Sequence, residues 1–239
     1  HYTLGGARVN EWAETTVPGL YAAGEVGGNV HGANRTSGNA LAETQVFGQR
    51  AGVRAAQYAL GRQSPAIDEA LVSEESKRIY SFREERPNGI RPIEFKRKIK
   101  AVMHEHVHYR RHADGLTTAI EMLRGLRAEE LECVQATIGS EIYNYEWEEA
   151  LEAHAMVQLA ELVAASALAR EESRGHHWRT DFPEMRSDWE KHTLVRQVDE
   201  TTYNVSEMPI VRLKDRRSER RSADPLLLEA GVLEGYGTS

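Results

Sequence analysis

HGANRTSGNALAETQVFG, residues 31–48, decides the reading of this chain. A loop rich in glycine and amide side chains, carrying one arginine, runs straight into an apolar segment, which places the loop at a helix N-terminus. Unpaired peptide N–H groups and the helix macrodipole make such a loop a cradle for an anion or a cofactor. Arg35 offers a planar fork of donors suited to two-point binding of a carboxylate; an arginine that caps helix carbonyls or pairs with a surface acid stays open beside it. Upstream, PGLYAAGE at 18–25 reads as a short strand that delivers the Glu25 carboxylate into a second glycine cluster at Gly27 and Gly28. Open α/β sheets bind nucleotides at such strand ends, where an acid can accept hydrogen bonds from sugar hydroxyls. A plain strand-end acid is the alternative, and neither glycine cluster is a strict dinucleotide fingerprint.

Working outward, residues 1–25 alternate short apolar runs with turn formers, the pattern of short strands and tight turns. Residues 39–60 read as a helix, with Leu41, Val46, Ala51, Val53, Ala55, Ala56 and Leu60 as its apolar and small positions and Gly61 as its stop. Charged, weakly apolar sequence at 66–91 reads as a linker. Three helices are expected at 93–111, 116–131 and 145–172, enough for a bundle, with Trp147, Leu151, Ala155, Leu159, Leu162, Val163 and Ala167 as the apolar stripe of the third. Residues 176–188 read as an ordered loop, 193–198 and 202–211 as a strand pair, and the remainder as a tail with a turn at 225–227. The expected fold class is α+β, divided as 1–65, 66–91, 92–192 and 193–239.

The chain has 239 residues, 40% of them apolar, and a formal net charge of −7. That charge disfavours nucleic acid as a partner, and the basic run at 212–221 is interrupted by acids and lacks aromatics, as a solvated tail does. The single cysteine, Cys133, excludes an internal disulfide and a multi-cysteine metal or iron–sulfur site within this sequence, which suits a cytoplasmic setting. Direct membrane insertion is not expected, because no uninterrupted apolar run approaches the roughly 20 residues of a spanning helix. His104, His108 and His112 recur at helical spacing, but Arg110 and Arg111 would set positive charge beside a cation, so no metal site is expected. Residue 1 already lies within a patterned segment, HYTLGG, and the chain is expected to be the C-terminal part of something longer.

GLYAAGE at 19–25 followed by HGANRTSGNAL at 31–41 resembles the second FAD-binding region of the flavoprotein family of succinate dehydrogenase, fumarate reductase and L-aspartate oxidase. HYTLGG at 1–6 resembles its His-Tyr-x-x-Gly-Gly substrate motif, and REESRGHH at 170–177, DFP at 181–183 and DWEKHTL at 188–194 resemble the end of its helical domain. The resemblance implies the C-terminal portion of a Rossmann-like FAD-binding domain followed by a three-helix bundle and an extended tail. It implies FAD as cofactor, with Glu25, Asn39, Ala40 and Leu41 as cofactor-binding residues and His1 and Arg35 as binders of a dicarboxylate such as succinate or fumarate. Ala40 stands where many members have serine, which keeps a backbone contact but not a hydroxyl. The implied chemistry is hydride transfer between flavin and dicarboxylate, with the proton-donor arginine and the first dinucleotide-binding glycines expected upstream of His1. The implied partners are that missing FAD-binding and capping portion and an iron–sulfur subunit, through which the protein would lie peripheral to a membrane. L-aspartate oxidase activity is the runner-up, and a non-catalytic helical interaction module is the alternative from another class.

Overall fold

The computed structural model describes residues 2–199 and 202–210. Its N-terminal part is held by close backbone contacts more than by regular sheet. Ala7 N–H donates to the Val26 carbonyl and Gly28 N–H to the Ala7 carbonyl, both at 2.8 Å, while Glu14 and Tyr21 form an isolated antiparallel bridge. The expected strand at 18–25 is absent: its pairing stops at Tyr21, and Gly24–Val26 is a turn of 3₁₀ helix. The cause is backbone shape, since Gly5, Gly6, Gly19 and Gly24 all have positive φ and cannot continue a ladder. At Gly6 a Cβ would lie 2.3 Å from the Val26 carbonyl oxygen, so only glycine permits this approach. Glu25 therefore sits in a 3₁₀ turn and not at a strand end.

Helix α1, Asn39–Leu60, follows the loop as expected. It is pinned to the N-terminal segment by Arg50, which donates to the Glu11 carbonyl at 2.8 Å, and by Arg54, whose guanidinium lies 4.5 Å from the centre of the Trp12 ring. The expected apolar face differs from the buried one. Leu41, Val46 and Leu60 are exposed, and the residue buried along α1 is Glu43. Among the described residues nothing covers those three side chains. The stretch read as a linker carries helix α2, Glu69–Ser81, started by Asp68, whose carboxylate accepts from the amides of Ala70 and Leu71. None of its residues is buried.

Three helices then pack around one core. Helix α3, Pro92–Val102, opens on a proline whose missing N–H costs nothing at that position. It runs into a π-helical turn, Met103–Val107, short of the expected end at 111. Helix α4, Ala113–Glu129, starts earlier than expected because His112 caps it, Nδ1 accepting from Gly115 N–H at 3.1 Å. Helix α5, Tyr145–Ala169, is capped by the Asn144 side chain on Trp147 N–H. Phe95 and Ile99 of α3 meet Leu116, Ala119 and Leu123 of α4 in a continuous core.

The face that α5 turns to this core is not the stripe of large residues. Ala150, Ala153, Val157, Ala160, Ala164 and Ala167 are buried, whereas Leu159 and Val163 are exposed. Steps of three and four residues put the small set on one side, and small side chains let the three helix axes approach closely. By length and composition α5 could cross a bilayer; here its alanine face packs in the bundle core and Glu161 on the same helix is fully buried.

Two short sheets complete the fold. Strands β1, Arg110–Arg111, and β2, Trp178–Arg179, pair in parallel and tie the loop after α5 to the α3–α4 junction. Strands β3, Lys191–Gln197, and β4, Tyr203–Pro209, form an antiparallel hairpin with Val195 opposite Val205, close to the expected pair. The basic run at 212–221 and the turn at 225–227 lie outside the described residues.

Replacing Ala153 by Leu should overpack the α5 interface and cost about 1–3 kcal/mol, whereas Leu159→Ala should change stability by less than about 0.5 kcal/mol. Urea unfolding of the two variants checks this assignment of faces.

Candidate functional site

The site is built on the start of α1. No side chain caps this helix: Gly38 at its N-cap has φ +80° and the first turn carries no acid, while Asn39 N–H donates to the Thr36 carbonyl at 3.1 Å and Leu41 N–H to the Gly38 carbonyl at 3.2 Å. Ala40 and Leu41 belong to that first turn, and the Leu41 side chain is exposed. Tyr2 gathers the other elements. The Arg35 guanidinium lies over its ring, 4.6 Å from the centre, and the His31 ring meets it edge-on at 5.2 Å. Asn39 lies 3.5 Å from His31 Nδ1. Next to Tyr2, the Thr3 amide donates to Glu25 Oε1 at 2.7 Å. Glu25, Arg35 and Asn39 are thus brought together with the first turn of α1, which carries Ala40 and Leu41. His1 lies outside the described residues.

Two participants escape the sequence reading. Glu43, on the second turn of α1, is buried and accepts from Gly24 N–H at 3.0 Å through Oε1. Tyr2 enters that reading only as a letter of the motif. The signal that could have found Glu43 is a charged residue in an otherwise small and apolar helix segment, ALAETQVFG. Four buried polar atoms here, the Tyr2 hydroxyl, His31 Nε2, Arg35 Nε and Glu43 Oε2, make no hydrogen bond among the described residues. Leaving such a group unpaired costs about 1–3 kcal/mol, so the four atoms call for partners beyond the described residues. Burial raises the Tyr2 phenol above its ordinary pKa, and the carboxylates of Glu43 and Glu25 add to the effect.

The loop after α5 locks onto this site. His176 N–H donates to the Ala33 carbonyl at 3.0 Å, and Gly175, at φ +57°, approaches so closely that a Cβ would lie 2.3 Å from the same oxygen. The loop owes its rigidity to buried charge. Arg179 is fully buried and donates to the carbonyls of Ala167, Leu168 and Arg170, which stops α5 at Ala169 in place of the expected 172. It also forms a two-point pair with Asp181 at 2.8 Å. Glu172, fully buried, accepts from Arg170, Arg174 and the Arg186 amide, and these bonds hold its pKa below the ordinary range despite burial.

His177 is fixed at both nitrogens: Nδ1 accepts from Arg111 at 2.7 Å and Nε2 donates to the Arg170 carbonyl at 3.1 Å. Burial, and then the charges of Arg111, Arg170 and Arg179, lower its pKa from 6.5 to about 4. Of the three histidines with helical spacing, His104 and His108 meet edge-on with ring centres 5.2 Å apart, while His112 is committed to capping α4.

A family model described as fumarate reductase flavoprotein C-term matches residues 96–221, and one described as FAD binding domain matches residues 1–41. The chain belongs to this flavoprotein family. A CoM/CoB fumarate reductase polypeptide of Methanothermobacter marburgensis is 41% identical over 197 residues, covering 82% of this chain and 35% of that protein. L-aspartate oxidase of Bacillus subtilis is 34% identical over 197 residues, covering 82% and 32%. The solved structure of Mycobacterium smegmatis Sdh1 in complex with UQ1 superposes with a TM-score of 0.79 at 30% identity, covering 98% of this chain and 38% of that one. The flavoprotein chain described here thus spans about a third of the length of the relatives it matches.

FAD is the cofactor of this family, and the residues present fit it. The uncapped start of α1 and the orphaned atoms of Tyr2, His31, Arg35 and Glu43 supply donors and acceptors on one surface. The Rossmann-like arrangement expected around them is not visible as a sheet among the described residues, whose sheets are two-stranded.

Gly175→Ala should strain the turn and push the Ala33 carbonyl, costing about 1–3 kcal/mol; faster proteolysis of the 31–38 loop would show the detachment. For His177, the unfolded chain takes up a proton below about 6.5 and the folded chain only near 4. The unfolded state therefore binds more protons in that window, so stability is full above it and falls as pH drops through it. His177→Gln should flatten this slope in denaturant titrations between pH 6.5 and 4.

Proposed function

We propose that this chain forms one wall of an FAD- and dicarboxylate-binding site in an oxidoreductase acting on succinate, fumarate or a related C4 dicarboxylate. The observation that carries it is the gathering of Arg35 on the Tyr2 ring, of His31 against Tyr2 and of Asn39 beside His31 at the start of α1, with Arg35 Nε unpaired among the described residues. Bound FAD supplies hydride transfer to or from a dicarboxylate carbon. Arg35 binds one substrate carboxylate through its guanidinium fork, and His1 binds and polarises the substrate beside it. Glu25 would accept from hydroxyls of the FAD sugar chain, the backbone of Ala40 and Leu41 would face the flavin ring, and Asn39 would be a further cofactor-binding residue. The α1 N-terminus stabilises negative charge there by its dipole.

The proton-donor arginine, the first dinucleotide-binding segment and the covering for Leu41 and Val46 come, in this reading, from outside residues 1–239. The four-part division at 65, 91 and 192 belongs to the same proposal. So do a cytoplasmic position peripheral to the membrane and an iron–sulfur partner subunit. The 34% identity to an L-aspartate oxidase supports that activity as the runner-up.

Flavin absorption of the chain co-expressed with the FAD-binding portion expected upstream tests the first step, and a folded complex without flavin would support the non-catalytic alternative. With flavin bound, Arg35→Lys loses the two-point geometry and should lower kcat/KM for the dicarboxylate about ten- to hundred-fold. Turnover equal to wild type would remove Arg35 from the substrate site.

A further inference from the structure

Arg35 reaches the site with little to hold it. It leaves a glycine-rich loop, its Nε lacks a hydrogen-bond partner among the described residues, and what it rests on is an aromatic face. The His31 ring abuts Tyr2 edge-on at 5.2 Å. The next residue, Thr3, donates its amide to Glu25 Oε1 at 2.7 Å, which ties the Tyr2 segment to the Gly24–Val26 turn.

We propose that Tyr2 is a positioning residue for dicarboxylate binding: its ring face orients the Arg35 guanidinium. This rests on the assignment of Arg35 to the substrate. An arginine stacked on an aromatic face keeps its edge free, and the edge carries the N–H groups that a carboxylate takes in two-point fashion. The ring therefore holds the cation without consuming the donors used for substrate.

The test is the affinity of the flavin-loaded protein for malonate, a dicarboxylate without the carbon pair needed for reaction, read from the flavin difference spectrum and by calorimetry. Tyr2→Phe keeps the ring and should leave the dissociation constant within about two-fold of wild type. Tyr2→Leu removes the ring and should raise it about five- to thirty-fold, with kcat at saturating substrate changed less than KM.

If Tyr2→Leu loses flavin, ring-fluorinated phenylalanines at position 2 keep the shape while draining the ring's negative face, and affinity should fall with each added fluorine. A Tyr2→Leu protein that binds malonate as wild type does, or a fluorination series with no trend, overturns the positioning role while Arg35→Lys still weakens binding. If Arg35→Lys also leaves malonate affinity intact, the substrate assignment of Arg35 fails, and this inference fails with it.

Discussion

The Ala33 carbonyl bears the constraint on which the arrangement depends. It receives the His176 amide at 3.0 Å and has the bare Cα of Gly175 pressed against it, at a distance no side chain would allow. Ala33 lies two residues before Arg35, and Gly175 lies six after the end of α5, so this contact joins the ligand loop to the helical bundle. The loop itself has few side chains with which to define its shape. Its conformation is set from outside, by a backbone bond to a turn that buried ion pairs make rigid. Glu172 and Arg179 are both fully buried, and each is satisfied by several partners, the condition under which buried charge specifies a conformation instead of only opposing burial.

From that clamp the chemistry follows in order. A fixed Ala33 aims Arg35 at the Tyr2 ring, and Tyr2 brings Thr3 to Glu25 and lies against His31 beside Asn39. The first turn of α1, which no side chain caps, stands next to these groups, and four buried polar atoms there lack a partner among the described residues. The bundle's contribution is mechanical: alanines along α5 let three helices close tightly, and the carbonyls at its C-terminus are held by Arg179, from which the clamping turn extends.

The elements that local chemistry dictates are legible in the sequence. The helix after the glycine-rich loop, the hairpin near 193–209 and the three helices of the bundle follow from periodicity, although Arg179 ends α5 at Ala169 and a π-helical turn ends α3 at Val102. Competition from tertiary contacts accounts for several misread features, but not for helix α2, which buries none of its residues. Large residues such as Leu159 and Val163 dominate a periodicity count, yet the close approach of helices selects the alanine face. The segment 18–25 has strand composition, but Gly19 and Gly24 adopt positive φ and break it. Glu43 could not be singled out by spacing, because its partner Gly24 is a backbone amide 19 residues earlier. The clamp between Gly175 and Ala33 joins positions 142 residues apart in the sequence, and no local pattern marks it.

The most direct measurement is an experimental structure of the flavin-loaded protein with malonate bound. The flavin ring is expected against the backbone of Ala40 and Leu41, with a malonate carboxylate on the Arg35 edge while the guanidinium still lies over Tyr2. A flavin seated away from the start of α1, or a malonate that leaves Arg35 untouched, would contradict this arrangement.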